Sequence, residues 1–201
     1  MYVITIDQII HWTQLLYLLL AAVWLGSLPF VKRTIYKQSM SSYLQQTVVF
    51  TVGLYLLFGS PSTPDWFNQP VFTVTLPIAL AGLGMAICGV GVSIWARLTL
   101  GENWSSSPSI KQDHALIVTG PYRIVRHPIY TGFIVIYAGL AILSASALAL
   151  VCAALMTVGL WIKARVEEQF LSEELGAAAY GGYKARTPML VPRLARRPEA
   201  K

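Results

Sequence analysis

The sequence has few charged residues: they make up 12% of its 201 residues, whereas hydrophobic side chains make up 55%. A chain with so little charge cannot fold as an ordinary soluble domain without exposing a large apolar surface to water. The net charge of +6 could indicate a nucleic-acid partner, but no nucleic-acid-binding motif accompanies it. The sequence therefore predicts an integral membrane protein, in which the positions of basic residues indicate orientation.

Cysteine and histidine are equally scarce, with two and three residues respectively. Cys88 and Cys152 both lie in apolar runs, where packing is a better interpretation than a disulfide. His114 and His127 have no third ligand nearby, so no metal site is expected. The chain also lacks a glycine-rich nucleotide loop and a Ser or Cys nucleophile in a recognisable frame. These absences argue against a hydrolase and against a metalloenzyme.

Long apolar runs are what the sequence does contain. They cover residues 9–31, 44–59, 71–96 and 129–162. The last would reach about 50 Å as one helix, too long for a single crossing. Ser144-Ala145-Ser146 supplies a break in its middle, so we expect a hairpin of two helices, with a single tilted helix as the alternative. The third run carries Gly82, Gly84, Gly89, Gly91 and Ser93, small residues that allow helices to pack closely in lipid.

The basic residues lie on one predicted side of the membrane. All 15 Lys and Arg follow the first, third or fifth predicted span. Five transmembrane helices with an outer N-terminus and a cytoplasmic C-terminus satisfy this distribution. The first span has no basic region ahead of it and is not expected to be a cleaved signal peptide.

This topology divides the chain into two regions. Residues 1–70 form an N-terminal region with two spans. Residues 71–201 form a core that contains the third span, a long polar loop (99–128), the hairpin (129–162) and a C-terminal charged helix and tail (163–201). The loop and the charged helix share the cytoplasmic face and are expected to build one site.

The charged helix places Lys163 and Glu167 four residues apart, and thus on one face. A surface salt bridge would have the same spacing. Arg165 points elsewhere. Spacing alone does not decide between a functional pair and a structural one.

Short motifs follow one another in a fixed order through the second half of the chain. They are His114-Ala115-Leu116-Ile117, Gly120-Pro121-Tyr122, Arg126-His127-Pro128-Ile129-Tyr130 with Gly132, Glu167-Glu168, and Gly176 with Tyr180 and Tyr183. In order and spacing this series resembles the isoprenylcysteine carboxyl methyltransferase family. The first two spans are not diagnostic.

The resemblance implies an all-α integral membrane enzyme of a prokaryotic inner membrane, with a cytoplasmic pocket for S-adenosyl-L-methionine formed by the long loop and the C-terminal helix. It also implies a lipophilic, isoprenylcysteine-like substrate that enters from the bilayer. The family's cofactor contacts, transferred residue by residue, fall on His114, Leu116, Ile117, Tyr122, His127, Pro128, Tyr130 and Glu167.

The catalytic residues implied by the resemblance are Lys163, Glu167 and Arg126. The family has an arginine at position 163, where it orients the substrate carboxylate. Lysine lacks the two-pronged geometry of a guanidinium group, so Arg126 or Arg165 is an alternative partner for the carboxylate. Leu175 is a second departure, since the family usually has phenylalanine there.

Methyl transfer to an ionised carboxylate needs positioning and water exclusion but no general base. An amine acceptor would first have to lose a proton, with help from Glu168 or His127. A phospholipid N-methyltransferase is therefore one alternative. An NADPH-dependent sterol-type reductase and a non-enzymatic membrane subunit are two others. The sequence leaves the oligomeric state open, and a solvated or lipid-facing end is expected for the basic tail from Arg193 to Lys201.

Overall fold

The computed structural model describes residues 4–31, 34–37, 48, 51, 69–104, 109–111, 116–175 and 177–193. The predicted second span falls outside these ranges except for residues 48 and 51. His114 and most of the basic tail lie outside them as well.

Five helices form most of the described structure. They are α1 (Ile6–Gly26), α2 (Leu76–Leu100), α3 (Pro128–Ser144), α4 (Ala147–Leu175) and α5 (Ala177–Arg186). Short 3-10 turns at Leu28–Phe30, Gly101–Asn103 and Gly120–Arg123 follow α1, follow α2 and precede α3. The predicted helical class is confirmed.

One strand pairing adds to the helices. Residues Thr34–Lys37 (β1) run antiparallel to Ser109–Lys111 (β2). Both segments follow the ends of long helices, where backbone groups need new hydrogen-bond partners. The prediction of an all-α chain missed this pair.

Helix α1 begins with a capping box. The Thr5 side chain accepts a hydrogen bond from the backbone N–H of Gln8, and the Gln8 side chain accepts one from the backbone N–H of Thr5. These two bonds satisfy backbone donors that the first turn of a helix leaves unpaired. The first span is therefore fixed at its start by local sequence.

Helices α2 and α3 pack with their backbones in close approach. A Cβ atom at Gly89 would lie 2.6 Å from the Gly132 carbonyl oxygen, and one at Gly139 would lie 2.7 Å from that of Gly82. Larger side chains would force the two helices apart. The tight packing predicted for the third span is confirmed at Gly82 and Gly89.

The predicted break between α3 and α4 occurs at Ala145. This residue adopts a left-handed conformation with φ of 51°, and the Ser146 hydroxyl then accepts a hydrogen bond from the backbone N–H of Ala149 at 3.1 Å. The hairpin is confirmed and the single tilted helix is wrong. Helix α4 then continues without interruption from the apolar run through the charged segment.

Three helical stretches in the described ranges are long and apolar enough to cross a membrane: Ile6–Phe30, Leu76–Asn103 and Ala147–Glu173. Helix α3 is also apolar but has 17 residues, about 26 Å, slightly less than the hydrocarbon thickness. The chain is a membrane protein. Its five-span count stays a prediction, because the second span lies outside the described residues.

A buried arginine joins α1 to the end of α2. Arg97 donates to the carbonyl oxygens of Gly101 at 2.8 Å and Ser27 at 3.1 Å. Its guanidinium group lies 4.6 Å from the centroid of the Trp104 ring, and Trp104 in turn packs edge-on against Trp24. The burial of this basic residue was not predictable from the sequence.

Candidate active site

Glu168 is the centre of a charged network at the end of the bundle that contains the N-terminus of α3. Its Oε1 atom accepts a hydrogen bond from Arg126 Nε at 2.6 Å, and its Oε2 atom lies 3.4 Å from Lys184 Nζ. The Glu168 side chain is 7% exposed and that of Arg126 is 10% exposed. Burying such a carboxylate is tolerable because cations and hydrogen bonds compensate it.

Arg126 also donates hydrogen bonds to the main chain. Its Nη1 atom donates to the carbonyl oxygens of Lys184 and Thr187. The guanidinium group thus holds α4, α5 and the segment after α5 together. The substrate-orienting role predicted for Arg126 stays a prediction, because in the structure these contacts occupy the group.

The segment after α5 is bound to the start of α3 by backbone hydrogen bonds. The N–H groups of Arg126 and His127 donate to the carbonyl oxygens of Pro188 and Met189 at 2.8 and 3.1 Å. The Thr131 hydroxyl donates to the Leu190 carbonyl oxygen at 2.7 Å. This clamp was not predicted, since backbone hydrogen bonds leave no side-chain signature in a sequence.

Glu167 has different partners from Glu168. The Tyr130 hydroxyl donates to Glu167 Oε2 at 2.7 Å, and His127 Nδ1 lies 3.8 Å from the same oxygen. The Glu167 side chain is 29% exposed. A neutral hydroxyl and a distant imidazole therefore hold this carboxylate, and its side chain stays partly exposed.

His127 and Tyr130 stack face to face above Glu167. Their rings are parallel to within 3°, with centroids 5.3 Å apart. His127 Nε2 is buried and lies 3.3 Å from Glu168 Oε1, but without the alignment of a hydrogen bond. Within the described ranges this buried polar atom thus has an unused capacity for hydrogen bonding.

Lys163 lies on the same face of α4 as Glu167. Its ammonium group is 5.5 Å from the centroid of the Tyr130 ring, and it interacts electrostatically with Glu167. The predicted pairing of these two residues on one helix face is thus found. Arg165 is exposed and lies over Trp161, 5.0 Å from the ring centroid, away from Lys163.

Tyr183 on α5 supports the loop side of the site. Its hydroxyl donates to the main-chain carbonyl oxygen of Tyr122 at 2.6 Å. Burial raises the pKa of Tyr183 to about 12, with Arg126 opposing the shift and Glu168 adding to it. Burial also raises the pKa of Tyr122, and the negative charge of Glu167 adds to this. Both phenols therefore stay protonated at physiological pH.

The structure brings most of the predicted site residues together. The group comprises Tyr122, Arg126, His127, Pro128, Tyr130, Lys163 and Glu167. Leu116 and Ile117 are partly buried, and Ile117 packs against the main apolar core. His114 lies outside the described residues. In the described ranges no three His, Cys, Asp or Glu side chains form a cluster suited to a metal ion.

These residues fit the chemistry of S-adenosyl-L-methionine. The half-exposed Glu167 carboxylate suits the cofactor's α-ammonium group, and the buried His127 Nε2 atom can take a polar partner. Arg126 and Lys184 contact the Glu168 carboxylate directly, whereas Glu167 has Lys163 as its cationic neighbour on the same helix face. The predicted cofactor contacts remain a proposal.

Residues 78–178 match the family model described as phospholipid methyltransferase. This match covers half of the chain and contains α3 and α4 together with most of α2. It begins in the third predicted span, so the N-terminal region is outside it.

Curated proteins that resemble the chain have names that indicate different functions. It is 28% identical over 151 residues to the cobalt-zinc-cadmium resistance protein CzcN of Cupriavidus metallidurans, covering 74% of this chain and 62% of that protein. It is 27% identical over 159 residues to methanethiol S-methyltransferase of a Pseudomonas strain, covering 76% and 59%.

The chain is also 30% identical over 115 residues to protein-S-isoprenylcysteine O-methyltransferase B of Arabidopsis thaliana, covering 55% of this chain and 57% of that protein. The similarity to an isoprenylcysteine methyltransferase that the motifs indicated is thus found. The chain spans about three fifths of the length of these curated relatives. A solved eukaryotic isoprenylcysteine carboxyl methyltransferase matches with a TM-score of 0.49 and 21% identity, over 79% of this chain and 54% of that one.

Proposed function

Because the chain belongs to the phospholipid methyltransferase family, we propose that it is an S-adenosyl-L-methionine-dependent membrane methyltransferase. Its proposed reaction is O-methylation of the carboxylate of a lipophilic, isoprenylcysteine-like substrate. The observation that carries the proposal is the face of α4 on which Glu167, bound by Tyr130, lies beside Lys163.

Glu167 is the proposed anchor of the cofactor. Its carboxylate is hydrogen-bonded by Tyr130 and so has a fixed position, yet its side chain is 29% exposed. A ligand ammonium group would donate charge-assisted hydrogen bonds to this carboxylate. When bound, S-adenosyl-L-methionine supplies a methyl group on a positively charged sulfur atom.

Lys163 is the proposed partner of the substrate's carboxylate. It lies one helical turn before Glu167 and beside Tyr130, so an anion held by it would be close to the cofactor's anchor. A carboxylate attacks without losing a proton, and the chain then needs to orient the reactants and exclude water.

The membrane arrangement is part of the proposal. We place the N-terminus outside and the site at the cytoplasmic face of the inner membrane, with five spans. Pro70 pairs with Ser146, and the Val71 N–H donates to the Ala145 carbonyl oxygen at 2.8 Å. The two loops assigned to the outer face therefore meet at one end of the bundle, which supports this topology.

Calorimetric titration of the purified protein tests the cofactor. We expect binding of S-adenosyl-L-methionine and S-adenosylhomocysteine in the micromolar range, about −8 kcal/mol, and none of NADPH. Binding of NADPH alone would favour a reductase. Binding of none of the three would contradict the proposal and favour a non-enzymatic membrane subunit.

Transfer of a labelled methyl group identifies the acceptor. A prenylated cysteine with a carboxylate should yield a label that mild base releases as methanol, since the product is an ester. A small thiol, the acceptor in the name of one relative, would give a base-stable thioether.

The thiol is a second candidate, favoured by Lys163 at the position of the family's arginine. Phosphatidylethanolamine completes the acceptor panel, because its N-methyl product is also stable to base. Label found only in base-stable products would overturn carboxylate methylation and leave the methyltransferase class intact.

A further inference from the structure

The face of α4 that points away from Lys163 and Glu167 has its own character. An exposed apolar stripe runs along the helix with steps of three or four residues, the spacing of one helix face. It consists of Val151, Leu155, Val158, Ile162 and Val166. In a membrane protein such a stripe contacts the acyl chains of lipid.

The stripe ends at an open cavity of 600 Å³. Val166 belongs to both, and the polar part of the cavity wall contains Arg126, Arg165, Glu168 and Lys184. This is the size of a small-molecule site. An elongated apolar surface thus leads directly into a polar hollow.

The cavity wall has two positive charges in excess. Arg126, Arg165 and Lys184 contribute three, and Glu168 contributes the one negative charge. Arg126 and Lys184 both contact Glu168, at 2.6 and 3.4 Å, whereas Arg165 is exposed and stacks on Trp161. The cavity therefore favours an anion.

Trp161 and Arg165 indicate the depth of the cavity in the membrane. Tryptophan is enriched at the membrane interface, and arginine beside it reaches the lipid phosphates. Both side chains are exposed, with the guanidinium group 5.0 Å from the ring centroid. The cavity thus lies at the level of the headgroups.

We propose that this groove binds an anionic phospholipid, with an acyl chain along the stripe and the phosphate in the cavity between Arg165 and Lys184. Arg165 is two residues from both Lys163 and Glu167, which is about 200° around the helix axis. Arg165 therefore lies on the opposite side of α4 from Lys163 and Glu167, although Arg126 lines the cavity as well, and in this proposal the lipid is not the methyl acceptor.

Thermal unfolding in mixed micelles tests the proposal in the absence of S-adenosyl-L-methionine, so its outcome is independent of the proposed reaction. Phosphatidylglycerol is titrated against phosphatidylcholine. We expect phosphatidylglycerol to raise the Tm at a several-fold lower lipid fraction, because its headgroup keeps a net negative charge. Equal effects of both lipids would overturn the proposal.

The variant Arg165→Gln should weaken the phosphatidylglycerol effect about tenfold, since it removes a charge-assisted contact. Arg123→Gln is the matched control, because Arg123 is exposed and is not part of the cavity wall. An equal loss in both variants would show attraction to surface charge in general, and would overturn the site.

Inorganic phosphate distinguishes a lipid from a dissolved anion. It should raise the Tm far less than phosphatidylglycerol, because it cannot use the apolar stripe. Equal stabilisation by inorganic phosphate would overturn the lipid assignment.

Discussion

Glu167 and Glu168 are adjacent in the sequence but occupy opposite kinds of environment. Glu168 is 7% exposed and is contacted by Arg126, His127 and Lys184. Glu167 is 29% exposed, and its hydrogen bond comes from the neutral Tyr130 hydroxyl. Two identical side chains on one helix thus differ in their partners, since two cations contact Glu168 directly whereas Glu167 accepts its hydrogen bond from a neutral group and is partly exposed.

The difference follows from helix geometry. Consecutive residues point about 100° apart on a helix, so Glu168 turns towards α5 and Arg126, whereas Glu167 turns towards Tyr130. We therefore expect loss of charge at Glu168 to change the free energy of unfolding, and loss of charge at Glu167 to change the affinity for a ligand.

The largest expected effect is on stability, in the variant Glu168→Gln. It leaves Arg126 buried without its counter-charge, and breaking a buried ion pair in this way costs about 3 kcal/mol. We expect the free energy of unfolding in detergent to fall by that amount. Glu173→Gln is the control on the same helix, because Glu173 is exposed and its change should cost less than about 0.5 kcal/mol. Equal losses would contradict a structural role specific to Glu168.

Glu167→Gln should affect binding and leave folding nearly unchanged. Its expected consequence is an increase of about tenfold in the Kd for S-adenosylhomocysteine, equivalent to about 1.4 kcal/mol. The unfolding temperature without ligand should match that of the Glu173→Gln control. A loss of stability without ligand as large as that of Glu168→Gln would instead make Glu167 part of a structural salt bridge.

Some of this arrangement was predictable from local sequence. An uncharged run too long for one crossing required a break, and the structure places it at Ala145. Continuation of the last span into the charged helix was also predictable from its helical spacing. The four-residue interval predicts that Lys163 and Glu167 share one face of the helix. Their assignment to the active site rests on the family resemblance.

Long-range partners were not predictable. Nothing in the sequence links Arg126 to Glu168 across 42 positions, and the clamp by residues 188–190 uses main-chain atoms.

The glycines of α2 also show what the sequence does not predict. Gly82 and Gly89 meet α3, whereas Gly84 and Gly91 have nothing within 4 Å, yet both pairs have the same seven-residue spacing. Which face meets a neighbour is decided by tertiary packing.

The smallest expected effect concerns Tyr183. Like Glu168, this residue is expected to act on stability, because its hydroxyl holds the loop. Tyr183→Phe removes the hydrogen bond to the Tyr122 carbonyl oxygen, and should lower the free energy of unfolding by about 1 kcal/mol below pH 10. The measurement is chemical unfolding of the wild-type protein and the variant at a series of pH values.

The pH dependence gives this prediction its sign. Burial is the main cause that raises the pKa of Tyr183 in the folded protein from 10.0 to about 12. The charge of Arg126 opposes this shift and that of Glu168 adds to it. The folded state thus retains a proton that the unfolded state loses, so the stabilisation present below pH 10 is lost as the pH rises towards about 12. Since phenylalanine cannot ionise, the variant should lose less stability over this interval, and the difference between the two proteins should shrink. A difference that stays constant across the interval would mean that folding does not raise the pKa of Tyr183. No difference below pH 10 would mean that Tyr183 contributes by packing alone, and would remove its hydroxyl from the set of contacts that hold the loop beside the candidate site.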